Sequence, residues 1–423
     1  MSAVITGAGV VSPVGSAILP FWQSLVEGRS GIGRIRKFDA SGFPVKLGAE
    51  IPAPHPTAIG ASLELPPGMV DLPTSFAVAA AEMAWADAAL DERTVDAERV
   101  ALFLGVGGFH VPDYRAIATL AAGLGDDIDT EMVCQWTQRT ERGCASLRGA
   151  PLTPVLAVGR RLPIRGRVAV ISTACAGGAQ AIGEAKRCLE RGDADIAVAG
   201  GTEEGVSPIK LLYFLLLGAL SRRTDLGAGA LRPFDHRRDG TVLGDGAGIV
   251  VLETREHARR RAARVYAELV GYGLSSDAYR LTDSHPSGAG AALAMTRALA
   301  DARLDPGAVT YVNAHGTGTV ANDRAETAAI RQVFGPHASE MAVSSTKPVT
   351  GHLVTAAGAV ECIATALTLV HGVIPPTINC DGLDPDCDLD YVLRTARKRA
   401  LTVALSNSSG FGGQNVALVL RRP

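Results

Sequence analysis

The sequence predicts an α/β protein built from two similar halves, on three observations. A short apolar run, Val168 to Ile171, is followed by a helical pattern reaching about Arg191, with apolar positions at Ala181, Ile182, Ala185 and Leu189, and then by the strand Asp195 to Gly201. Strand, helix and strand at this spacing make a βαβ unit. The second half repeats elements of the same kind: a strand at Tyr266 to Gly273, a helix over Ala291 to Ala302, and a strand at Thr310 to Ala314 that ends at His315. A helix near Arg324 to Phe334, the strand Met341 to Ser344, a helix over Thr355 to Val370 and closing strands around Leu401 to Leu405 and Asn415 to Leu420 complete it. Finally, the 423 residues are 47% hydrophobic and 20% charged, enough apolar material for a large core in about two or three domain-sized units. The division falls between residues 1–254 and 255–423.

Taken in order, Ala3 to Val14 reads as a strand and a Gly-rich turn. Gly7 and Gly9 supply two positions of GxGxxG, but Ser12 takes the third and Pro13 interrupts the helix that would receive a pyrophosphate, which disfavours nucleotide binding. Gly28 to Phe43 and Pro52 to Pro73 read as irregular surface. Ser75 to Leu90 has helical spacing, and Val100 to Gly105 is a buried-type strand closed by Gly107 and Gly108. From Val111 to Arg161 periodicity is weak, with one tract, Cys134 to Cys144, compatible with helix. Thr241 to Glu253 is a Gly-rich turn into a buried strand, whose Gly244, Gly246 and Gly248 fit tight packing better than phosphate binding because no helix follows. The basic run Arg255 to Arg264 reads as a solvated helix face.

Composition excludes several classes. A formal net charge of −2 gives no basic surplus for nucleic acid. The most apolar run, Leu211 to Leu220, is about half of the ~20 residues a membrane span needs and reads as core or interface. Seven cysteines without CxxC pairs or a secretory signal point to reduced thiols in a cytoplasmic protein.

Candidate chemistry starts at Ser172-Thr-Ala-Cys175. A strand here delivers a thiol to a helix start, where Ser172 and Thr173 are available as caps and the first-turn N–H groups would lower the thiol pKa from about 8.5. This stretch alone fits a nucleophile and a packed core cysteine equally well. Three further Gly/Ser/Thr-rich segments follow strand ends: Asn313-Ala-His315-Gly-Thr-Gly-Thr319, Ser344-Ser-Thr-Lys347-Pro-Val-Thr-Gly-His352 and Asn407-Ser-Ser409-Gly-Phe411-Gly-Gly413. Zinc is disfavoured, with no HExxH, no paired-Cys spacing and no obvious third ligand.

Together the segments VITGAGVVSPVG, STACAGG, DADIAVAGG, RPFDHRRDGTVLGDGAG, YVNAHGTGT, VSSTKPVTGH, PPTINCDGLDPDCDLDYV and NSSGFGG, in this order over nearly the whole chain, resemble the β-ketoacyl-ACP synthases of the KAS II type and the related type II polyketide ketosynthases. The resemblance implies a thiolase-like fold, its duplicated halves forming a five-layered αβαβα core, with cap insertions and the nucleophile in the first half and both histidines in the second. It implies a decarboxylative condensation of a Cys175 acyl thioester with malonyl-ACP, without metal or cofactor, the substrates riding on the phosphopantetheine of an acyl carrier protein. His315 and His352 would then be the paired imidazoles, Lys347 and Glu361 a buried pair supporting them, the N–H groups of Cys175 and Phe411 the oxyanion hole, and Phe411 a gate hinged by Gly410 and Gly412. A dimer is implied, of two copies or with a ketosynthase-like partner. The competing reading is that this chain is itself such a partner, of the chain-length-factor type; those subunits lack the nucleophile that Cys175 supplies here.

Departures from the family pattern cluster at the acyl pocket and the carrier surface. Ser409 stands for a Phe, Thr241 sits where a Phe is common, Gln414 replaces Thr, Gly108 occupies a bulky position of the pocket floor, and Phe214 keeps a pocket aromatic. The segment LTPVLAVGRRLPIRG lacks the family's Asn-containing stretch. Ala61 to Ser75 holds no Lys or Arg and Gly218 replaces an Arg, leaving Arg222 and Arg223 as candidates for carrier docking.

Overall fold

The structure, a computed structural model, describes residues 2–52, 70–107 and 150–423. The expectations for Gly108, for Cys134 to Cys144, and for most of the Pro52 to Pro73 and Ala61 to Ser75 stretches lie outside the described residues.

In chain order the strands are β1 (Ala3–Val11), β2 (Gly33–Arg34), β3 (Leu47–Gly48), β4 (Val100–Val106), β5 (Val168–Ile171), β6 (Ile196–Glu204), β7 (Asp245–Thr254), β8 (Ala267–Ser276), β9 (Tyr311–Asn313), β10 (Ala342–Ser344), β11 (Val373–Ile374), β12 (Asp390–Tyr391), β13 (Arg397–Lys398), β14 (Val403–Gly410) and β15 (Gln414–Arg421). The helices used below are α1 (Ile18–Glu27), α2 (Leu72–Asp87), α3 (Leu152–Arg161), α4 (Gly177–Glu190), α5 (Pro208–Leu216), α6 (Arg255–Arg260), α7 (Ala289–Ala302), α8 (Val320–Phe334), α9 (Lys347–Thr350) and α10 (Ala357–His371). Among the described residues eleven strands join one sheet in the order β12-β10-β9-β14-β15-β8-β1-β7-β6-β4-β5, beside two small pairs, β2 with β3 and β11 with β13.

That order contains the duplication. From β1 outward, β7 and then β6 pair antiparallel, followed by β4 and β5 in parallel. From β8 outward, β15 and β14 pair antiparallel, followed by β9 and β10 in parallel. The repeats meet where β1 and β8 run antiparallel, Ala3 opposite Leu269 and Ile5 opposite Ala267. The helices repeat too: α2 leads from β1 to β4 as α7 leads from β8 to β9, and α4 leads from β5 to β6 as α10 leads from β10 to β14.

Three cores stack these elements into five layers. Apolar residues of α2 and α3 pack with β4, β6 and β7 in one core, and those of α7 and α8 pack with β9, β14 and β15 in another. Between them α4 and α10 share a central core with strands of both halves. The run Val354–His371 is long and apolar enough to cross a membrane, but it is 89% buried inside the protein, as a central helix must be. In α5, Leu211 and Phe214 are buried while Leu212 and Leu216 face outward, so the apolar run splits between core and surface.

Glycines set the outer spacing. A Cβ on Gly7 or Gly9 would lie 2.2 or 2.0 Å from the carbonyl oxygens of Ala84 or Ala80 in α2, and a Cβ on Gly271 or Gly273 would lie 2.2 or 1.9 Å from those of Ala298 or Ala294 in α7. No side chain fits at such distances, so the Gly-rich opening serves strand-to-helix contact. The basic run at α6 is a surface segment whose arginines pair with carboxylates of three elements: Arg255 with Glu268, Arg261 with Glu253, and Arg264 with Asp87.

Candidate active site

Edge strand β5 ends at Ile171, and one tight turn, Ala174–Ala176, carries Cys175 before α4 begins at Gly177. Ala174 sits at φ +46°, a left-handed conformation that alanine adopts only at a cost of about 1–2 kcal/mol. This elbow turns the thiol away from the strand. The same turn recurs in the second half: Val354, at φ +45°, opens the turn Val354–Ala356 ahead of α10.

Two expectations for this stretch fail. Neither Ser172 nor Thr173 caps a helix: the Thr173 side chain makes no capping bond, its hydroxyl is buried without a partner, and α4 starts two residues beyond the cysteine. Nor is the thiol acidified. Burial pushes Cys175 up to about 12, outweighing the opposing charge of Lys347 and the N–H groups of Phe411 and Cys175 that hydrogen-bond the sulfur, while Glu203 adds to the rise.

His352 follows α9 and is clamped by its backbone, its N–H donating to the Val242 carbonyl at 2.8 Å and its carbonyl accepting from Gly244 N–H at 3.0 Å. Its Nε2 lies 3.2 Å from Cys175 Sγ. His315, at the end of β9, meets the His352 ring edge to face, with centroids 5.4 Å apart and an angle of 82°. Burial, the first cause, and the Lys347 charge hold both imidazoles well below the usual 6.5, so both are neutral near pH 7. Lys347 Nζ lies 3.2 Å from His315 Nδ1, donates also to the His315 carbonyl, and pairs with Glu361 Oε1 at 2.5 Å. An ammonium has only donors, so neutral His315 must accept at Nδ1 and carry its proton on Nε2. Glu361 is buried, and desolvation raises its carboxyl to about 7 against the pull of Lys347.

Glu326 on α8 was not singled out by sequence reasoning, yet it holds the His315 loop. Its two oxygens accept from His315 N–H at 2.7 Å, Gly316 N–H at 2.8 Å and Asn407 Nδ2 at 2.8 Å. Glu203 was missed as well: it pairs with Lys210 at 2.6 Å and accepts from Thr355 Oγ1 at 2.9 Å. Glu326 lies three residues from Asp323 in a helix that also carries Arg324 and Arg331, and that spacing alone does not mark it; only the packing shows both acids buried.

Cys175 and both histidines open on a cavity of about 300 Å³, which Phe214, Thr241, Ser409, Gly410 and Phe411 also line. The Phe214 and Phe411 rings lie 5.5 Å apart. Gly410 passes so near Cys175 that a Cβ would lie 2.7 Å from the Thr173 carbonyl oxygen. Gly412, at φ +84°, donates its N–H to Leu281 at 2.6 Å. Thr317 and Thr319 line the cavity as well. The sulfur and the imidazole nitrogens lie within 4.8 Å of one another, a donor set zinc accepts elsewhere, but the Lys347 ammonium beside His315 opposes a further cation.

Two repeated halves with a thiol and two neutral imidazoles in one cavity define a thiol-dependent acyltransferase of thiolase-like architecture. The chain belongs to the β-ketoacyl synthase family: residues 2–258 match the model of the beta-ketoacyl synthase N-terminal domain and residues 266–381 that of the C-terminal domain. It is 39% identical to a 3-oxoacyl-[acyl-carrier-protein] synthase 2 of Synechocystis sp. over 421 residues, 99% of this chain and 97% of the relative. It is 40% identical to a polyketide beta-ketoacyl synthase 1 of Streptomyces cyaneus, covering 99% and 97%. Among solved structures, the ishigamide ketosynthase/chain length factor superposes with a TM-score of 0.89 at 33% identity, covering 100% of this chain and 99% of that one. A type II PKS ketosynthase, in complex with its acyl-carrier protein and bound to the hexaketide, superposes at 0.88 with 32% identity and covers 100% and 99%.

Proposed function

We propose that this chain condenses an acyl group held on Cys175 with malonyl-ACP to give β-ketoacyl-ACP, elongating a fatty acid or polyketide chain. The observation that carries this reading is the 3.2 Å contact between Cys175 Sγ and His352 Nε2, with His315 5.4 Å from His352 centre to centre. In the first step the sulfur attacks the acyl thioester of the carrier. The sulfur–carbon bond forms at Cys175, the donor carbon–sulfur bond breaks, and the Cys175 proton passes by way of His352 to the departing carrier thiol. N–H groups of Cys175 and Phe411, already aimed at the sulfur, face the oxyanion of that step.

Malonyl-ACP then enters, and its thioester carbonyl accepts from His315 Nε2–H beside the His352 ring. The bond to the carboxylate breaks, CO₂ leaves, and the electron pair becomes an enolate whose carbon attacks the Cys175 thioester. A carbon–carbon bond forms, the carbon–sulfur bond to Cys175 breaks, and the departing thiolate takes a proton from solvent by way of His352, which restores the thiol. Neutral imidazoles suit this step because they donate without first giving up a proton. Lys347 and Glu361 act as positioning residues that fix the His315 tautomer.

Among the described residues β5 is an edge strand, and with Val168 half exposed it fits pairing with a second ketosynthase-like subunit, identical or not. Cys175 favours the condensing role over that of a chain-length-factor subunit. Incubation with acyl-ACP donors followed by intact mass spectrometry tests this: one acyl adduct, released as β-ketoacyl-ACP on adding malonyl-ACP and absent in Cys175→Ala, is expected. A chain that takes no acyl group from any donor, alone or with a ketosynthase partner, contradicts it.

A further inference from the structure

His352 hangs on a ribbon of short parallel stretches whose middle member, Val242 to Asp245, leads into β7. His352 pairs with Leu243 on one side of it, and Ala49 pairs with Gly244 on the other. Ala49 N–H donates to the Leu243 carbonyl at 2.9 Å, and the Ala49 carbonyl accepts from Asp245 N–H at 3.0 Å. The middle stretch is thus gripped on the side away from His352. Contact is tight: a Cβ on Gly351 would lie 2.6 Å from Ala49 Cβ.

One side chain fastens this ribbon to the sheet. Lys37 Nζ lies 3.0 Å from Asp245 Oδ2, at the first residue of β7, and 2.8 Å from Glu204 Oε1, at the last residue of β6. The other Asp245 oxygen accepts from Val206 N–H at 2.9 Å. Asp245 is fully buried, and among the described residues Lys37 is the one cation paired with it. Burial pushes the Asp245 carboxyl up to about 6 even with Lys37 beside it, so without Lys37 the group would keep its proton near pH 7 and the hold on the loop would go. The loop that begins at Lys37 also sends Phe38, Phe43 and Val45 into the apolar cluster that contains Cys175 and Leu243. Fastening it therefore bears on both partners of the 3.2 Å contact between His352 and the thiol.

From this, and resting on the condensing role proposed above, we infer that Lys37 is a positioning residue for acyl transfer: by joining its loop to the ends of β6 and β7 it holds the ribbon that presents His352 Nε2 to Cys175 Sγ. It touches neither substrate nor the reacting atoms, and it acts through Asp245 and the backbone of the ribbon.

The test is acylation of Cys175 by the acetyl, hexanoyl and decanoyl thioesters of N-acetylcysteamine, followed by intact mass, with variants measured on the donor that labels the wild type fastest. The sulfur–carbon bond forms at Cys175, the donor carbon–sulfur bond breaks, and N-acetylcysteamine thiol leaves with the cysteine proton. Lys37→Met should lower the maximal labelling rate by about tenfold to a hundredfold, as expected when a reacting group is misplaced by about 1 Å, with the half-saturating donor concentration unchanged. Lys37→Arg, which keeps the charge, should recover most of the rate. The double variant Lys37→Met with Asp245→Asn leaves no orphaned acid and should be as slow as Lys37→Met alone. Lys186→Met removes another buried cation, paired with Glu190 of α4 and Asp301 of α7, and should lower the melting temperature while keeping the maximal rate. A folded Lys37→Met or double variant with the wild-type maximal rate overturns the inference and leaves the condensing role standing, as does an equal loss of rate in Lys186→Met. No labelling of the wild type by any donor overturns both.

Discussion

At Cys175 desolvation competes with a local field that favours the thiolate, and desolvation wins. The ammonium of Lys347 and two backbone N–H groups act on the sulfur, yet full burial holds the thiol protonated to about pH 12. Alkylation by iodoacetamide should therefore climb about tenfold per pH unit from pH 7 to 10 without levelling, because the thiolate fraction is still growing throughout. A plateau near pH 8 would mean that the sulfur ionises as an ordinary or activated thiol. The motif around Cys175 was legible in the sequence, but its protonation state was not. That state depends on where α4 begins and on the depth of the site, and both follow from packing with α10 and β14.

At the scale of elements, the site is assembled from the ends of β5, β9, β10 and β14 and steadied from behind by two helices. Glu361 from α10 reaches Lys347, and Glu326 from α8 reaches the two backbone N–H groups after Ala314. Removing one partner of a buried ion pair typically costs about 3–5 kcal/mol because the other charge stays uncompensated. Glu361→Ala should thus lower the melting temperature and lose malonyl-ACP decarboxylation together. A variant with wild-type melting and turnover would show that the pair supports neither. The two glutamates differ in how visible they were beforehand. Glu361 is the one charge in the apolar helix Ala357–His371, whereas Glu326 shares α8 with Asp323, Arg324 and Arg331, where a charge attracts no notice until the packing shows it buried.

For the molecule as a whole, the duplicated topology brings the two halves together through residues without side chains. A Cβ on Gly178 of α4 would lie 2.7 Å from the Thr355 carbonyl oxygen, and one on Gly358 of α10 would lie 2.7 Å from Ala179 Cβ. Gly178→Val should therefore prevent folding, read as loss of the cooperative melting transition. Gly159→Ala in α3, where a Cβ meets nothing within 4 Å among the described residues, should be neutral or stabilising by up to about 1 kcal/mol. Equal melting of both variants would contradict the tight central layer. Strand and helix order in the second half was readable from periodicity alone. The matching pairing order of the halves was not, since long-range partners leave no trace in local spacing.

The left-handed turns at Ala174 and Val354 are twins, and they divide the labour. In one, the next residue is Cys175; in the other it is Thr355, whose hydroxyl grips Glu203 at 2.9 Å. Glu203 is one of the charges that keep the Cys175 sulfur from ionising. The silent twin thus helps keep the reactive one at rest, and the thiol stays guarded against stray electrophiles until an acyl thioester arrives beside His352.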